Sequence, residues 1–110
     1  MEKRKIPVVK SEVYYYDVQN IFDYGVEVFG YHAADAFVED LISKVESLAF
    51  QYELYPECRH ITTKNRIYRN IILASYLIIY RITPNKIEVL RAISGRMSVS
   101  KIKAVRSIKL

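Results

Sequence analysis

The chain has 110 residues, of which 51% are hydrophobic, and its formal net charge at pH 7 is +5. This length fits one domain with one core, and three glycines and three prolines are too few for a disordered chain. No apolar run reaches the roughly 20 residues that cross a bilayer, and the apolar run after residues 1–5 stops at Lys10, which is short for a secretion signal. Cys58 is the single cysteine, which excludes an internal disulfide and fits a reducing compartment. We therefore expect a cytoplasmic protein.

The charges are distributed unevenly along the chain. Residues 1–58 carry five Lys or Arg and eleven Asp or Glu, a net charge of −6. Residues 59–110 carry twelve Lys or Arg and one acid, Glu88, a net charge of +11. A basic half of this kind can meet phosphates or the acidic segment of another protein, or it can be ordinary solvated surface. The size of the asymmetry favours an anionic macromolecular partner.

The first half of the chain predicts a short strand and two helices. Residues 6–9 are a strand candidate, and because Pro7 lacks an N–H donor the strand belongs at a sheet edge or begins there. Residues 11–29 predict a helix with Ser11 as its N-cap and an apolar stripe at spacings of three and four. Residues 33–52 predict a second helix, and the short link between the two makes them an antiparallel hairpin.

Residues 65–94 predict three consecutive antiparallel strands, at 67–73, 74–82 and 86–93. Beta-branched and aromatic residues dominate them, and the middle strand contains neither glycine nor proline, which is typical of a central position in a sheet. A very short turn near Ala74 joins the first two strands, and a Thr-Pro-Asn sequence typical of turns joins the last two.

Two sets of apolar or aromatic side chains in these elements imply contacts beyond their own helix or strand. Leu77 and Ile79 point to the opposite face of the middle strand from Tyr76, so both faces of that strand are apolar. Another part of the chain, a second copy or a partner must cover them. The three tyrosines at 14–16 cannot all be core, because consecutive residues on a helix point about 100° apart. At least one of them faces solvent or a partner.

The elements together predict an α+β fold, in which an N-terminal strand and an antiparallel helical hairpin pack with a mainly antiparallel sheet that ends in a three-stranded meander. We assign residues 1–97 to this domain and residues 98–110 to a basic C-terminal tail. Apolar residues recur every three positions in the tail, so it is either a short amphipathic helix capped by Ser98 or Ser100, or a segment that a partner orders.

The sequence offers little for catalysis or for binding a metal or cofactor. His32, His60 and Cys58 lack the spacing of a zinc site, and no glycine-rich phosphate loop is present, so we expect no metal, no cofactor and no catalytic residue. The remaining signal is a set of arginines on or near the strands: Arg66, Arg69, Arg81, Arg91 and Arg96. Arginine forks bind phosphate or carboxylate at two points, although single arginines of this kind are often solvent-facing strand ends.

The order of these elements, and several short motifs, resemble the RelE/ParE superfamily of toxins from type II toxin–antitoxin systems. The motifs are Ile21-Phe22-Asp23-Tyr24, Ala33-Ala34-Asp35-Ala36-Phe37 with Leu41 and Val45, Leu54-Tyr55-Pro56, the strand sequences at 75–82 and 87–93, and Gly95-Arg96. Each motif is degenerate alone, but in this order and at this spacing they are fairly specific. The resemblance covers about residues 5–97 and implies the α+β fold described above.

The resemblance implies different activities for two branches of the superfamily. RelE-like members cut ribosome-bound mRNA, whereas ParE-like members, including plasmid stabilisation proteins, are known as inhibitors of DNA gyrase. RelE-like chains place an arginine where Leu77 stands here, and no histidine follows His60 and no tyrosine follows Tyr80 to move a proton. The ParE-like branch therefore fits better. The chain departs from that branch at Ser94, where a histidine is common, and in its long basic tail.

We therefore predict a ParE-like toxin that binds its target, DNA gyrase, and is neutralised by a cognate ParD-like antitoxin. The predicted target-binding residues are Arg66, Arg69, Arg91 and Arg96. The predicted antitoxin-binding residues are Tyr76, Leu77, Ile79, Lys101, Lys103 and Arg106, with Leu77 and Ile79 available only if the tail leaves them open. The alternatives are a RelE-like ribosome-dependent endoribonuclease and a non-toxic relative that only binds an antitoxin.

Overall fold

The computed structural model of the chain describes residues 5–110. Within that range the elements are β1 (Val8–Lys10), α1 (Glu12–Phe29), α2 (Tyr31–Gln51), β2 (Tyr68–Leu73), β3 (Tyr76–Ile82), β4 (Ile87–Ser94) and α3 (Val99–Ala104), followed by a 3-10 turn at Val105–Ser107. The predicted α+β class and the order of the elements are confirmed. Residues 1–4, the start of the predicted domain, lie outside the described range.

The helical hairpin begins and turns where small polar and glycine residues permit it. The Oγ of Ser11 accepts a hydrogen bond from the N–H of Tyr14 at 2.9 Å and so caps α1. Gly30 separates the helices with a φ of 91°, a conformation that favours glycine. The hairpin is closely packed at Gly25, where an added Cβ would lie 3.0 Å from the Cβ of Ala34. Because one glycine suffices as the link, α2 begins two residues earlier than predicted.

The strands form one sheet in the order β1-β4-β3-β2. β1 is parallel to β4 and lies at an edge, as Pro7 predicts, and the other neighbours are antiparallel. The β2–β3 turn is short because Leu73 pairs directly with Tyr76, and Ala74 there has a φ of 52°. β3 and β4 are the two central strands, and none of their residues is exposed.

The helical hairpin covers one face of the sheet. The first core combines Ile78 and Tyr80 of β3 with Leu41, Val45 and Leu48 of α2. The Tyr80 hydroxyl is buried with this core and donates a hydrogen bond to the carbonyl of Tyr52 at 2.6 Å, so its polar atom is paired. Burial raises the pKa of Tyr80, which keeps this hydroxyl a hydrogen-bond donor.

The chain itself covers the opposite face of the sheet. Cys58 and Ile61 of the loop before β2, together with Ile102 and Val105 of the tail, pack on that face in a second core. Ile79 is 0% exposed in this core. Leu77 is half-buried at its margin. The condition for their predicted contact with the antitoxin, a tail that leaves them open, is therefore not met in this structure.

One arginine side chain fastens the tail to the sheet. The Nη2 of Arg81 donates to the carbonyl of Ile108 at 2.9 Å, and its Nη1 donates to the carbonyl of Arg106 at 3.3 Å. Glu88 orients the guanidinium by accepting from its Nε at 2.7 Å. The predicted short helix exists as α3, and Ser98 is its cap. Because α3 buries Ile102, the tail completes the second core and does not project from the domain.

We expect the substitution Ile102→Ala to lower the free energy of unfolding by about 2–5 kcal/mol, because it leaves a cavity between the tail and the sheet. Urea unfolding followed by circular dichroism measures the change. Val99→Ala on the exposed side of the same helix is the matched control and is expected to change stability by less than about 0.5 kcal/mol. Equal effects of the two substitutions would show that the tail does not pack as described.

Candidate functional site

A groove passes the side chain of Tyr76, the first residue of β3. Tyr76 lines an apolar cavity of about 380 Å³ between the closed end of the helical hairpin and the β2–β3 turn. A second cavity of about 340 Å³ shares Tyr24, Ser75 and Tyr76 with the first and is completed by Ser94 and Arg96, so each of its lining residues carries a polar side-chain atom. A third cavity of about 240 Å³ continues over Arg91 and Asp17. Tyr76 lines all three, and we call them together the Tyr76 groove.

The apolar end of the Tyr76 groove is built mainly by the two helices. Its walls are formed by Tyr24, Phe29, Ala33, Ala34, Phe37 and Tyr76. The rings of Phe37 and Tyr76 lie 5.9 Å apart between centroids, so α2 and β3 meet at the floor. The small residues on α2 keep this end open. Tyr24 and Phe29 are 56% and 70% exposed, so an apolar surface is left without a cover here.

The polar end of the Tyr76 groove is positioned by the turn after β4. The N–H of Gly95 donates to the carbonyl of Ser75 at 2.8 Å, which ties this turn to the β2–β3 turn. A Cβ at position 95 would lie 3.3 Å from the same oxygen, so the close approach favours glycine. Arg96 follows directly and is exposed, and its guanidinium forms no ion pair with any of residues 5–110. Arg96 is thus a cation available to a ligand of the groove.

Arg91 lies in the groove, but its guanidinium is already bound. Its Nε and Nη2 donate to the two carboxylate oxygens of Asp17 at 2.9 and 2.7 Å. The same carboxylate accepts the N–H of Ala92 at 3.1 Å, and Asp17 is only 6% exposed. The hydrogen bond to Asp17 raises the pKa of Arg91. This two-point contact joins α1 to β4, so Arg91 supports the wall of the groove.

The other predicted residues lie elsewhere in the molecule. Arg69 is opposite Tyr80, toward the far end of β3, and donates to the carbonyls of Glu53, Tyr55 and Arg66, so it holds the loop after α2. Arg66 is exposed beside it. Lys101, Lys103 and Arg106 are exposed on the tail, over the second core. Of the predicted site residues, the structure brings together Tyr76, Arg91 and Arg96.

Sequence reasoning missed the helical wall of the Tyr76 groove. Tyr24, Phe29 and Ala33 belong to motifs or stripes that predicted a helix, and their exposure follows only from how the hairpin meets the sheet. The run of tyrosines at 14–16 was a related signal. Tyr14 is buried, whereas Tyr15 and Tyr16 are exposed, so the prediction that at least one of the three faces outward is confirmed.

Burial changes the pKa of two groups, Tyr76 in the groove and Cys58 in the second core. Burial raises the pKa of Tyr76, so its hydroxyl stays protonated near neutral pH and can donate a hydrogen bond to a ligand. Burial likewise raises the pKa of the Cys58 thiol in the second core, which makes it a poor nucleophile.

Among residues 5–110, no cluster of three His, Cys, Asp or Glu side chains has the arrangement to hold a metal ion. None of the helices described in that range is long and apolar enough to cross a membrane.

The fold and the Tyr76 groove define a small α+β protein with an open, partly apolar surface that ends at a free cation. A family profile described as "ParE toxin of type II toxin-antitoxin system, parDE" matches residues 16–99, more than two thirds of the chain. The chain therefore belongs to the ParE toxin family of type II toxin–antitoxin systems, as the sequence motifs predicted.

A solved structure supports the fold. The chain is similar to a structure titled "Chromosomal ParDE TA system from P. aeruginosa", with a TM-score of 0.68 and 17% sequence identity. The similarity covers 84% of this chain and 98% of that one. No curated protein is similar enough in sequence to count as a match.

We expect Asp17→Ala to lower the free energy of unfolding by about 2–4 kcal/mol. The substitution leaves the half-buried guanidinium of Arg91 and the buried N–H of Ala92 without their acceptor, and the partial exposure of Arg91 moderates the cost. Urea unfolding measures the effect. Asp40→Ala breaks the exposed pair with Lys44 and is the control, with an expected change of less than about 0.5 kcal/mol. A loss no larger than that of the control would contradict the structural role of the Asp17–Arg91 contact.

Proposed function

We propose that this protein is a toxin that acts in the cytoplasm by binding DNA gyrase and is neutralised by a cognate ParD-like antitoxin. Membership of the ParE toxin family supports the toxin role. The observation that carries the binding mechanism is the Tyr76 groove, whose apolar end and free Arg96 suit a protein ligand. Leu77, which replaces an arginine of RelE-like chains, supports binding without catalysis.

The chemistry of the Tyr76 groove specifies the antitoxin segment that would fit it. The exposed Tyr24 and Phe29 and the open apolar cavity call for a large apolar side chain as an anchor. Arg96, at the polar end, calls for a carboxylate. We therefore expect an antitoxin segment with an apolar residue followed at a short distance by Asp or Glu. A disordered segment of this kind orders as it buries apolar area, which suits stoichiometric neutralisation.

The same arrangement explains how the antitoxin would neutralise the toxin. Arg96 is exposed and unpaired within residues 5–110, and we propose it as the main contact to gyrase. Arg66 stays a proposed gyrase contact, since it is also exposed, whereas Arg69 and Arg91 act by holding their surroundings. A segment seated in the Tyr76 groove would cover Arg96. Antitoxin and gyrase would therefore compete for this residue.

We expect Ala33→Arg to weaken antitoxin binding at least about tenfold, because the long side chain fills the apolar end of the groove. Binding of the product of the adjacent short reading frame, measured by titration calorimetry, tests this. Ala36→Arg on the same helix, at an exposed position that does not line the groove, is the matched control and should bind normally. Equal affinities for the two variants would remove the groove as the antitoxin site.

One observation favours a second candidate, the RelE-like endoribonuclease. The polar cavity of the Tyr76 groove places the side chains of Tyr24, Tyr76 and Arg96 around one space. An arginine beside hydroxyl groups can bind a phosphate and donate a proton to a leaving group. The raised pKa of Tyr76 opposes its use as a general base, so this candidate ranks second.

We expect Arg96→Ala to reduce inhibition of gyrase supercoiling by the purified protein about tenfold or more, because the unpaired cation is lost. Lys44→Ala, farther along α2 and outside the lining of the Tyr76 groove, is the control and should inhibit like the parent chain. Growth arrest with a DNA damage response and intact mRNA supports the gyrase proposal. Cleavage within translated codons, abolished by Tyr76→Phe, would identify the nuclease instead. Tight antitoxin binding with no growth effect would identify a non-toxic relative.

A further inference from the structure

Exposed apolar side chains and exposed cations are segregated on this molecule. Eleven of the fourteen large hydrophobic residues that are exposed within residues 5–110 precede position 56, on or beside the helical hairpin. The three that follow are Ile72, Val99 and Leu110. The cations have the opposite distribution, since twelve of the seventeen Lys and Arg residues lie at positions 59–110. Apart from Arg96 in the Tyr76 groove, the exposed apolar side chains and the cations therefore lie mainly on different segments of the chain.

Seven exposed cations lie on the two segments that cover the second core. Cys58 and Ile61 of the loop, and Ile102 and Val105 of the tail, point toward the sheet. The charged residues between and beyond them point to solvent. We call this set the basic face: Arg59, Lys64, Arg66, Lys101, Lys103, Arg106 and Lys109. The inward packing of the apolar residues thus turns the cations of both segments outward on the same side of the sheet.

Acidic side chains do not neutralise the basic face. Glu88, the single acid of residues 59–110, is 6% exposed and is bound by Arg81 at 2.7 Å and Lys86 at 3.5 Å. Glu57, at the start of the loop, accepts the N–H of Thr63 at 3.0 Å and sets one carboxylate charge against the seven cations. No residue of the basic face forms an ion pair within the described part of the chain, residues 5–110. The positive field on this side is therefore not cancelled locally.

We propose that the basic face binds the phosphodiester backbone of duplex nucleic acid without reading its base sequence. A protein partner needs an apolar centre to its interface, and most apolar residues of the two segments are turned inward onto the sheet, which leaves only Val99 and Leu110 as large apolar side chains exposed on the tail. A single-stranded partner needs exposed aromatic rings on which bases stack, and Tyr68, the tyrosine nearest these segments, is 8% exposed. Seven exposed cations, against two exposed large apolar side chains on the same segments, suit phosphates. This assignment moves Lys101, Lys103 and Arg106 from the antitoxin to nucleic acid and gives Arg66 a contact to nucleic acid in place of gyrase. It stands whether or not gyrase is the target through Arg96.

The test is a fluorescence anisotropy titration of a labelled mixed-sequence DNA duplex of about 20 base pairs with the full chain at several salt concentrations. If all seven cations contact phosphates, the slope of log K against log[salt] approaches about −6, and partial contact gives about −3 to −6. Duplexes of different sequence should bind equally. A slope near zero, or a strong sequence preference, would overturn the proposal.

Two double variants distinguish binding by the basic face from attraction by the net charge of the whole protein. Lys101→Glu with Lys103→Glu changes two exposed residues of the basic face, and we expect at least about a tenfold loss of affinity and a shallower salt slope. Lys5→Glu with Lys44→Glu makes the same change in net charge outside the basic face and should bind close to the parent. Circular dichroism confirms that both remain folded. Equal losses in the two double variants would overturn the proposal.

Three further probes identify the class of ligand. If duplex RNA binds as well as duplex DNA, the basic face recognises the phosphodiester backbone that both share. A preference for one of the two duplexes identifies which nucleic acid is the ligand. A single strand that binds more tightly than either duplex would overturn the duplex assignment. If polyglutamate displaces the duplex at an equal concentration of charges, the basic face binds acidic protein segments as well as it binds phosphates. That result would overturn the proposal.

Discussion

The two central strands of the sheet, β3 and β4, are apolar on both faces, and the rest of the structure depends on covering both. The helical hairpin covers one face, and the loop before β2 together with the tail covers the other. Since Ile79 and Leu90 are fully buried beneath the tail, the tail is as much a part of the core as the hairpin is. Arg81, which holds the carbonyls of Arg106 and Ile108, fixes the tail on the sheet.

The loop and the tail that pack on the second face of the sheet also determine which surfaces stay exposed to partners. A chain without the tail would expose an apolar sheet face and would offer its partners a surface there. With the tail in place, the exposed apolar side chains are concentrated on the hairpin, where the Tyr76 groove opens. The Asp17–Arg91 contact then fixes α1 against β4 and so sets the width of the groove beside Ile93 and Met97. Packing and function are thus linked through the same two strands.

Local patterns predicted the elements well, because each depends on near neighbours in the chain. The cap at Ser11, the edge position of β1 and the meander all follow from propensity, periodicity and turn residues. The roles of the arginines did not follow from the sequence. Arg91 and Asp17 are 74 positions apart, and Arg69 is bound by carbonyls of the loop after α2. Whether an arginine is free or bound depends on its tertiary neighbours, so strand position alone could not separate Arg96 from Arg91.

The separation of apolar and cationic surfaces has a consequence for regulation. An antitoxin seated in the Tyr76 groove would cover Arg96, but nothing in the geometry requires it to cover the basic face on the other side of the sheet. Neutralisation would then block the groove while leaving the electrostatic attraction to phosphates in place. A neutralised complex of this kind would stay close to nucleic acid, and removal of the antitoxin would release an active toxin where duplex DNA is already bound. Because the attraction acts through screened charges, ionic strength would regulate this localisation without changing the groove.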